Sequence, residues 1–192
     1  MKAILLTGMP GCGKSIFTEV AIKYGLPVIS MGDCVREETE KRGLEPTPEN
    51  VARVSIKLRE ELGDGAIAHL TIKKIKELSL DKHKNNVIVI DGVRSLAEVE
   101  VFKQFFNKIL IVAIHASPLV RYNRILKRGR TDDAKTFEQL RKRDLRELGF
   151  GIGNVIALAD IMLINENKSK EEFAKECEQV IRKILVMFES NK

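Results

Sequence analysis

Residues 8–15 read GMPGCGKS and follow directly on the apolar run Ala3–Thr7. No other stretch constrains the chain so much. A tight turn needs one glycine. Three glycines, a proline and a lysine in eight residues mean that bare backbone and positive charge are wanted together. The spacing is G-x-x-x-x-G-K-S, that of a loop whose backbone N–H groups surround a chain of phosphates. Side chains would block that approach, so glycine is required where backbone and ligand are closest. A helix starting near Lys14 would aim its positive end at the same anion. Lys14 would reach the β- and γ-phosphates, and Ser15 would offer its hydroxyl to Mg2+. The pattern has meaning only between a buried strand and a helix, and both are expected here.

Five short apolar runs, rich in β-branched residues and not alternating, read as strands covered on both faces: Ala3–Thr7, Pro27–Ser30, Val87–Asp91, Ile109–Ile114 and Asp160–Ile164. Helical stretches lie between and after them: Lys14–Tyr24, Glu49–Leu62, Ala66–Leu80, Leu96–Phe106, Pro118–Lys127, Phe137–Glu147 and Glu171–Phe188. Strands alternating with helices imply right-handed crossovers and a parallel sheet. The last helix is the clearest. Ser169 and Glu172 form a capping box, and Phe173, Cys177, Val180, Ile181, Ile184, Leu185 and Phe188 make one apolar stripe, with Cys177 as core filler. Two segments look apart from the sheet. Residues 31–65 contain a helix start with Thr47 as cap and Pro48 at its first position. Residues 128–136 are a short charged insertion.

The remaining candidates are charged groups at strand and helix ends. Asp91 ends the third strand beside the first loop, where a second carboxylate would help hold Mg2+; capping the next helix is its plainer role. Gly92 permits close approach of a ligand. Arg94 stands at a helix start, where the dipole disfavours a cation and a bound phosphate would resolve the mismatch. Asp33 and Arg36 lie one turn apart at another helix start. Arginine reads phosphate in two-pronged fashion, while Asp33 has a rival reading as a simple N-cap. Arg121, Arg124 and Arg128 share a helix face and repel one another unless an anion enters. Arg130, Arg141 and Arg143 add charge across the short insertion. A flap closing on a triphosphate would neutralise the cluster and exclude water.

The order GxPGxGKS, ISxGDxxR, DGxR, RxxxR and RxDD resembles adenylate kinase and its nucleoside monophosphate kinase relatives, from Lys2 to about Arg143. The tail ADIMLIN, ending at Asn165, is also similar to dephospho-coenzyme A kinase. Most of all, the chain looks like the archaeal group of adenylate-kinase-related P-loop proteins. The resemblance implies an α/β P-loop NTPase fold with a five-stranded parallel sheet flanked by helices. It implies one domain over residues 1–192, with a helical acceptor-binding insertion at 31–65 and a short lid at 128–136. The activity implied is transfer of the γ-phosphate of ATP with Mg2+ to a small phosphate-bearing acceptor, a nucleoside monophosphate before others. Gly8, Met9, Pro10, Gly11, Cys12, Gly13, Lys14, Ser15 and Ile16 would hold the donor, with Arg124 stacked on its base and Arg128 on its phosphates. Ser15 and Asp91 would organise the metal. Asp33, Arg36, Gly92 and Arg94 would serve the acceptor. Lys14 and Arg128, with Arg130 and either Arg141 or Arg143 from the lid, would stabilise the transferring group.

Three departures fall on the acceptor side: Met31 where the family has threonine, Glu98 where it often has glutamine, and Asp-Gly-Val-Arg one residue shorter than the family's motif. Two other readings therefore stay open. One is an acceptor such as dephospho-coenzyme A; the other is a nucleotide-dependent regulator, RNA-associated, with weak ATPase activity. The net charge of +6 invites the latter, although a solvated surface with one local anion site is the favoured account and nucleic acid the less favoured partner. With 44% hydrophobic and 31% charged residues, the chain falls in the globular class and not the disordered one. Cys12, Cys34 and Cys177 lack metal-ligand spacing, and an odd count argues against a disulfide framework, so a cytoplasmic setting is expected. No apolar run is long enough for a membrane span. GFGIGN at 149–154 follows a helix and not a strand, which rejects a dinucleotide reading in favour of a helix stop and a flexible connection. His69, His83 and His115 are isolated and read as packing or surface residues.

Overall fold

The computed structural model describes residues 1–80, 86–128 and 136–190. In chain order the elements are β1 (Lys2–Thr7), α1 (Lys14–Lys23), β2 (Val28–Ser30), α2 (Met31–Lys41), α3 (Pro48–Leu62), α4 (Ala66–Glu77), β3 (Val87–Asp91), α5 (Leu96–Phe105), β4 (Lys108–His115), α6 (Pro118–Arg128), α7 (Phe137–Gly149), α8 (Ile152–Ala157), β5 (Ile161–Ile164) and α9 (Lys170–Glu189). Of the expected lid, residues 129–135, Arg130 among them, lie outside the described residues, as does His83.

All five expected strands form one sheet of order β2-β3-β1-β4-β5, and every pairing is parallel. The runs of β1, β3 and β4 are apolar because both faces are covered, whereas at the edge strand β5 only Leu163 is buried and Met162 and Ile164 are exposed. On one face Ile4, Leu6, Val89, Val112 and Leu163 pack on Phe17 and Ala21 of α1 and on Phe173, Cys177, Ile181, Ile184 and Phe188 of α9. The α9 stripe is therefore core, with each of those five residues at most 1% exposed. An isoleucine or phenylalanine buried so fully contributes about 1.5–3 kcal/mol. Cys177 fills space as expected, and burial pushes its thiol up to about 12. On the other face Ala3, Leu5, Ile88, Ile90 and Ile111 pack on α2–α5 and on Val155 of α8.

Two expectations are corrected here. Segment 31–65 does serve the sheet: Met31, Cys34, Val35, Val54 and Leu58 are buried in the same core as Ile29 and Ile90. Helix α2 begins at once after β2, capped by Ser30, whose hydroxyl accepts from the Asp33 amide. The N-cap role weighed for Asp33 thus belongs to Ser30. GFGIGN stops α7, but the connection is no free linker. Gly151 (φ 96°) caps α8, whose Ile152 and Val155 are 2% and 0% exposed. Six residues cannot hold a helix by propensity, so packing on the sheet must supply its stability.

From β1 the chain crosses to β2 on one side, and from β3 it passes over β1 to β4 on the other. The loop after β1 leads to α1 on one face, and the loop after β3 leads to α5 on the opposite face. Open parallel sheets bind ligands where such loops part, beyond the strand carboxyl ends. That place lies between β1 and β3, where Leu6 is in register with Asp91.

Candidate functional site

A cleft of about 660 Å³ opens there. Pro10, Gly11, Gly13, Lys14, Ser15 and Ile16 form its floor, with Asp91 and Arg36 to one side and Arg124, Arg128 and Arg143 to the other. Most of the sequence-predicted residues are therefore gathered from five separate stretches of chain. Gly8, Met9 and Cys12 complete the loop behind the lining.

The loop is shaped by tertiary contacts as well as by its glycines. Gly13 caps α1 with φ 108°, and a Cβ there would lie 2.3 Å from Asn165 Nδ2. No acidic residue stands in the first turn of α1, so its positive end is left to face a ligand. Lys14 Nζ donates to the Gly8 carbonyl at 2.6 Å and folds over the loop. Gly13→Ala is expected to weaken ATP·Mg2+ binding at least tenfold in a calorimetric titration, because left-handed backbone and a filled space oppose it together. An unaltered affinity would contradict the cradle.

Asp91 suits Mg2+. Its Oδ1 is buried with no hydrogen-bond partner among the described residues. Burial raises its pKa, opposed first by the Lys14 ammonium and then by Arg94. A hard cation would satisfy that oxygen, with the Ser15 hydroxyl lining the same cleft. Among the described residues no group of three metal-ligating side chains occurs. Magnesium characteristically binds through one or two carboxylates and a substrate's phosphates.

The arginines divide by burial. Arg124 lines the cleft, with Nη2 donating to the Asn165 carbonyl at 3.0 Å, while its Nη1 is buried without a partner among the described residues. Arg128 and Arg143 line the cleft too; Arg141 is exposed and outside the lining. Arg121 differs from its two expected companions. It is 3% exposed and held by Asp144 of α7 through Nη1 (3.0 Å) and Nη2, by the Ala116 carbonyl and by the Pro10 carbonyl. Asp144 already supplies the anion that the repulsion argument demanded of a ligand.

On the acceptor side, Arg36 lines the cleft and is ion-paired with Asp33, which lies outside the lining. Gly92 has φ 98°, and the nearest atom to a Cβ there would be 3.9 Å away. The positive φ by itself favours glycine there, and no protein atom crowds the space beside it. Arg94 does not line the cleft. Its Nε lies 2.6 Å from Glu147 Oε2 of α7; the approach is Coulombic, without hydrogen-bond alignment. A protein carboxylate thus answers the mismatch that a phosphate was expected to resolve. Glu98 is fully buried, caps α5 with Ser95 and pairs with Arg59 at 2.8 Å. Burial raises its pKa, and Arg59 opposes the rise. The departure from glutamine therefore has a structural use. His69 and His115 are exposed.

Asn165, Asp144 and Glu147 are the contacts that motif spacing did not assign. Only Asn165 carried a signal, a polar residue at the carboxyl end of an apolar strand.

Comparison with known proteins agrees with this geometry. The AAA domain family matches residues 7–141. UPF0200 proteins of Thermococcus onnurineus and Pyrococcus abyssi are 52% and 53% identical over 184 residues, covering 95% of this chain and 97% and 96% of theirs. The UPF0200 protein of Methanocaldococcus jannaschii is 50% identical over 192 residues, covering 100% of this chain and 95% of its own. Among solved structures, TT1252 from Thermus thermophilus is similar with a TM-score of 0.64 at 17% identity, covering 94% of this chain and 96% of that one. Shikimate kinase from Bacteroides thetaiotaomicron gives 0.59 at 17%, covering 95% and 97%. These two likenesses establish the P-loop kinase fold, and the archaeal relatives bear out the resemblance read from the motifs.

Proposed function

This chain belongs to the UPF0200 proteins and carries the AAA domain, and on that premise we propose that it transfers the γ-phosphate of ATP·Mg2+ to a small phosphate-bearing acceptor, a nucleoside monophosphate before others. One observation carries the reading. A phosphate loop, the Asp91 carboxylate and arginines from α2, α6 and α7 all line a single cleft, and one oxygen of that carboxylate has no hydrogen-bond partner among the described residues. Phosphoryl transfer needs two phosphates held in line and charge stabilised as the bond loosens, with little covalent help. Lys14 and the loop amides would hold the donor tail, Arg124 its base and Arg128 its phosphates. Ser15 and Asp91 would hold Mg2+, which when bound neutralises charge across the β- and γ-oxygens. Arg36 would grip the acceptor phosphate, with Asp33 fixing its guanidinium. Arg143 is the lid-side arginine we assign to the transferring group, since it lines the cleft and Arg141 does not. Among the described residues no helix is long and apolar enough to cross a membrane. The three free, buried cysteines suit a cytoplasmic setting.

A second reading is supported by the Arg94–Glu147 pair, which withholds one of the two expected acceptor arginines. It is a nucleotide-dependent regulator with weak ATPase activity. One assay separates the two. The purified chain is incubated with ATP·Mg2+ and AMP, CMP, UMP or dephospho-coenzyme A, and labelled phosphate is followed. Kinase action gives labelled acceptor at a rate well above phosphate release to water. Release without acceptor stimulation, together with salt-sensitive RNA binding, would favour the regulator.

A further inference from the structure

Three carbonyls of the phosphate loop are each held by a side-chain donor from a different part of the chain. Gly8 accepts from Lys14 at 2.6 Å, Pro10 from Arg121 at 3.0 Å and Cys12 from Asn165 Nδ2 at 2.8 Å. In a planar trans peptide the C=O and the following N–H point in opposite directions. A tethered carbonyl therefore turns the next amide away from its tether. The Arg121 and Asn165 clamps do this to the Gly11 and Gly13 amides, neither of which donates to a backbone carbonyl among the described residues.

Asn165 is the donor of the three that also touches a second wall of the cleft, through Arg124. Its backbone N–H donates to the His115 carbonyl at 2.8 Å and continues the β4–β5 ladder past β5. Its Oδ1 and carbonyl both accept from Arg124 Nη2, at 3.3 and 3.0 Å. The residue is 3% exposed, and its amide nitrogen stands where a Gly13 Cβ would be. One side chain thus joins the loop floor to the arginine on the far wall of the cleft.

We propose that Asn165 is a positioning residue for the donor nucleotide, turning the Gly13 amide toward the triphosphate and fixing Arg124 through the same carboxamide. The inference rests on the donor-site reading above and adds to it a residue outside the loop motif. Asn165→Asp tests it with almost no change of shape. The aspartate still accepts from Arg124 but sets a carboxylate oxygen against the Cys12 carbonyl. Asn165→Ala removes the clamp without adding charge. The full chain and both variants are titrated calorimetrically with inorganic tripolyphosphate and Mg2+, a probe with no base. The Gly13 amide resonance is followed by NMR in the same titrations.

Both variants are expected to lose at least tenfold in affinity, and the Gly13 resonance, which moves in the wild type, is expected to stay still. A general loss of packing would not silence that one amide while the other amide resonances keep native positions. An alanine variant that binds like the wild type overturns the proposal. If alanine prevents folding, the aspartate variant decides: wild-type affinity overturns the clamp, and loss with a silent Gly13 amide supports it. A wild-type chain that binds neither ATP nor tripolyphosphate sinks the donor-site reading and the clamp with it. A wild type that binds both, matched by its Asn165 variants, sinks the clamp alone.

Discussion

Lys14→Ala is expected to lower phosphoryl transfer by two or more orders of magnitude while the fold survives. The ammonium does three things that no neighbour can replace. It folds over the loop to the Gly8 carbonyl. It is the chief charge opposing the burial-driven rise of the Asp91 pKa. It would also stand beside the γ-phosphate as charge develops on it. Losing such a group in a water-poor site costs roughly 3 kcal/mol or more of transition-state stabilisation. The fold should tolerate the change. Lys14 is only half-buried at the start of α1, and alanine is the best helix former. The measurement is single-turnover transfer from labelled ATP, with circular dichroism on the same sample. A variant with normal turnover would refute the assignment.

The largest effect on stability is expected from Asp144→Ala, at about 3–5 kcal/mol. Arg121 and Asp144 have side chains only 3% and 11% exposed. Around them lie Tyr122, Ile125 and Leu140, an apolar cluster where α6 meets α7. The Tyr122 hydroxyl also donates to the aspartate at 2.8 Å. Removing the carboxylate strands a guanidinium with only carbonyl partners and orphans the phenol. That cost is a penalty of stranding and not the net worth of the pair. The double replacement Arg121→Met with Asp144→Leu should therefore recover much of the loss. Urea unfolding of the wild type and the two variants is the test. An Asp144→Ala midpoint equal to the wild type, or a double variant weaker than the single one, would show that the pair is not the anchor of α7. Because Arg121 also holds the Pro10 carbonyl, the double variant should bind ATP more weakly even where its stability returns.

The sequence was most legible where structure is local. The phosphate loop is a code of spacing, since glycine, lysine and serine must fall within eight residues whatever the rest of the chain does. The strands were legible because full burial leaves no polar alternation, and α9 because one face repeats every three or four residues. The capping boxes at Ser169 and Ser95 are equally local, although in the second the same Glu98 also stands where the resemblance puts an acceptor-side residue. Legibility failed where identity depends on a distant partner. Arg121 and Arg124 look alike on one helix, yet the first is paired to Asp144 across the 129–135 segment and the second borders the cleft. Arg94 looked free, and Glu147 from another helix meets it. Helix α8 exists because the sheet is beneath it.

By itself, then, the sequence determined that a phosphate loop would follow the first strand of a parallel sheet, because short-range geometry and burial alone dictate both. Only the tertiary structure decided which charged groups are spent on one another and which face the cleft. Asn165 meets Cys12 across 153 residues, and the strength of a buried charge or amide depends on what the fold brings within about 3 Å of it, which no spacing along the chain can state.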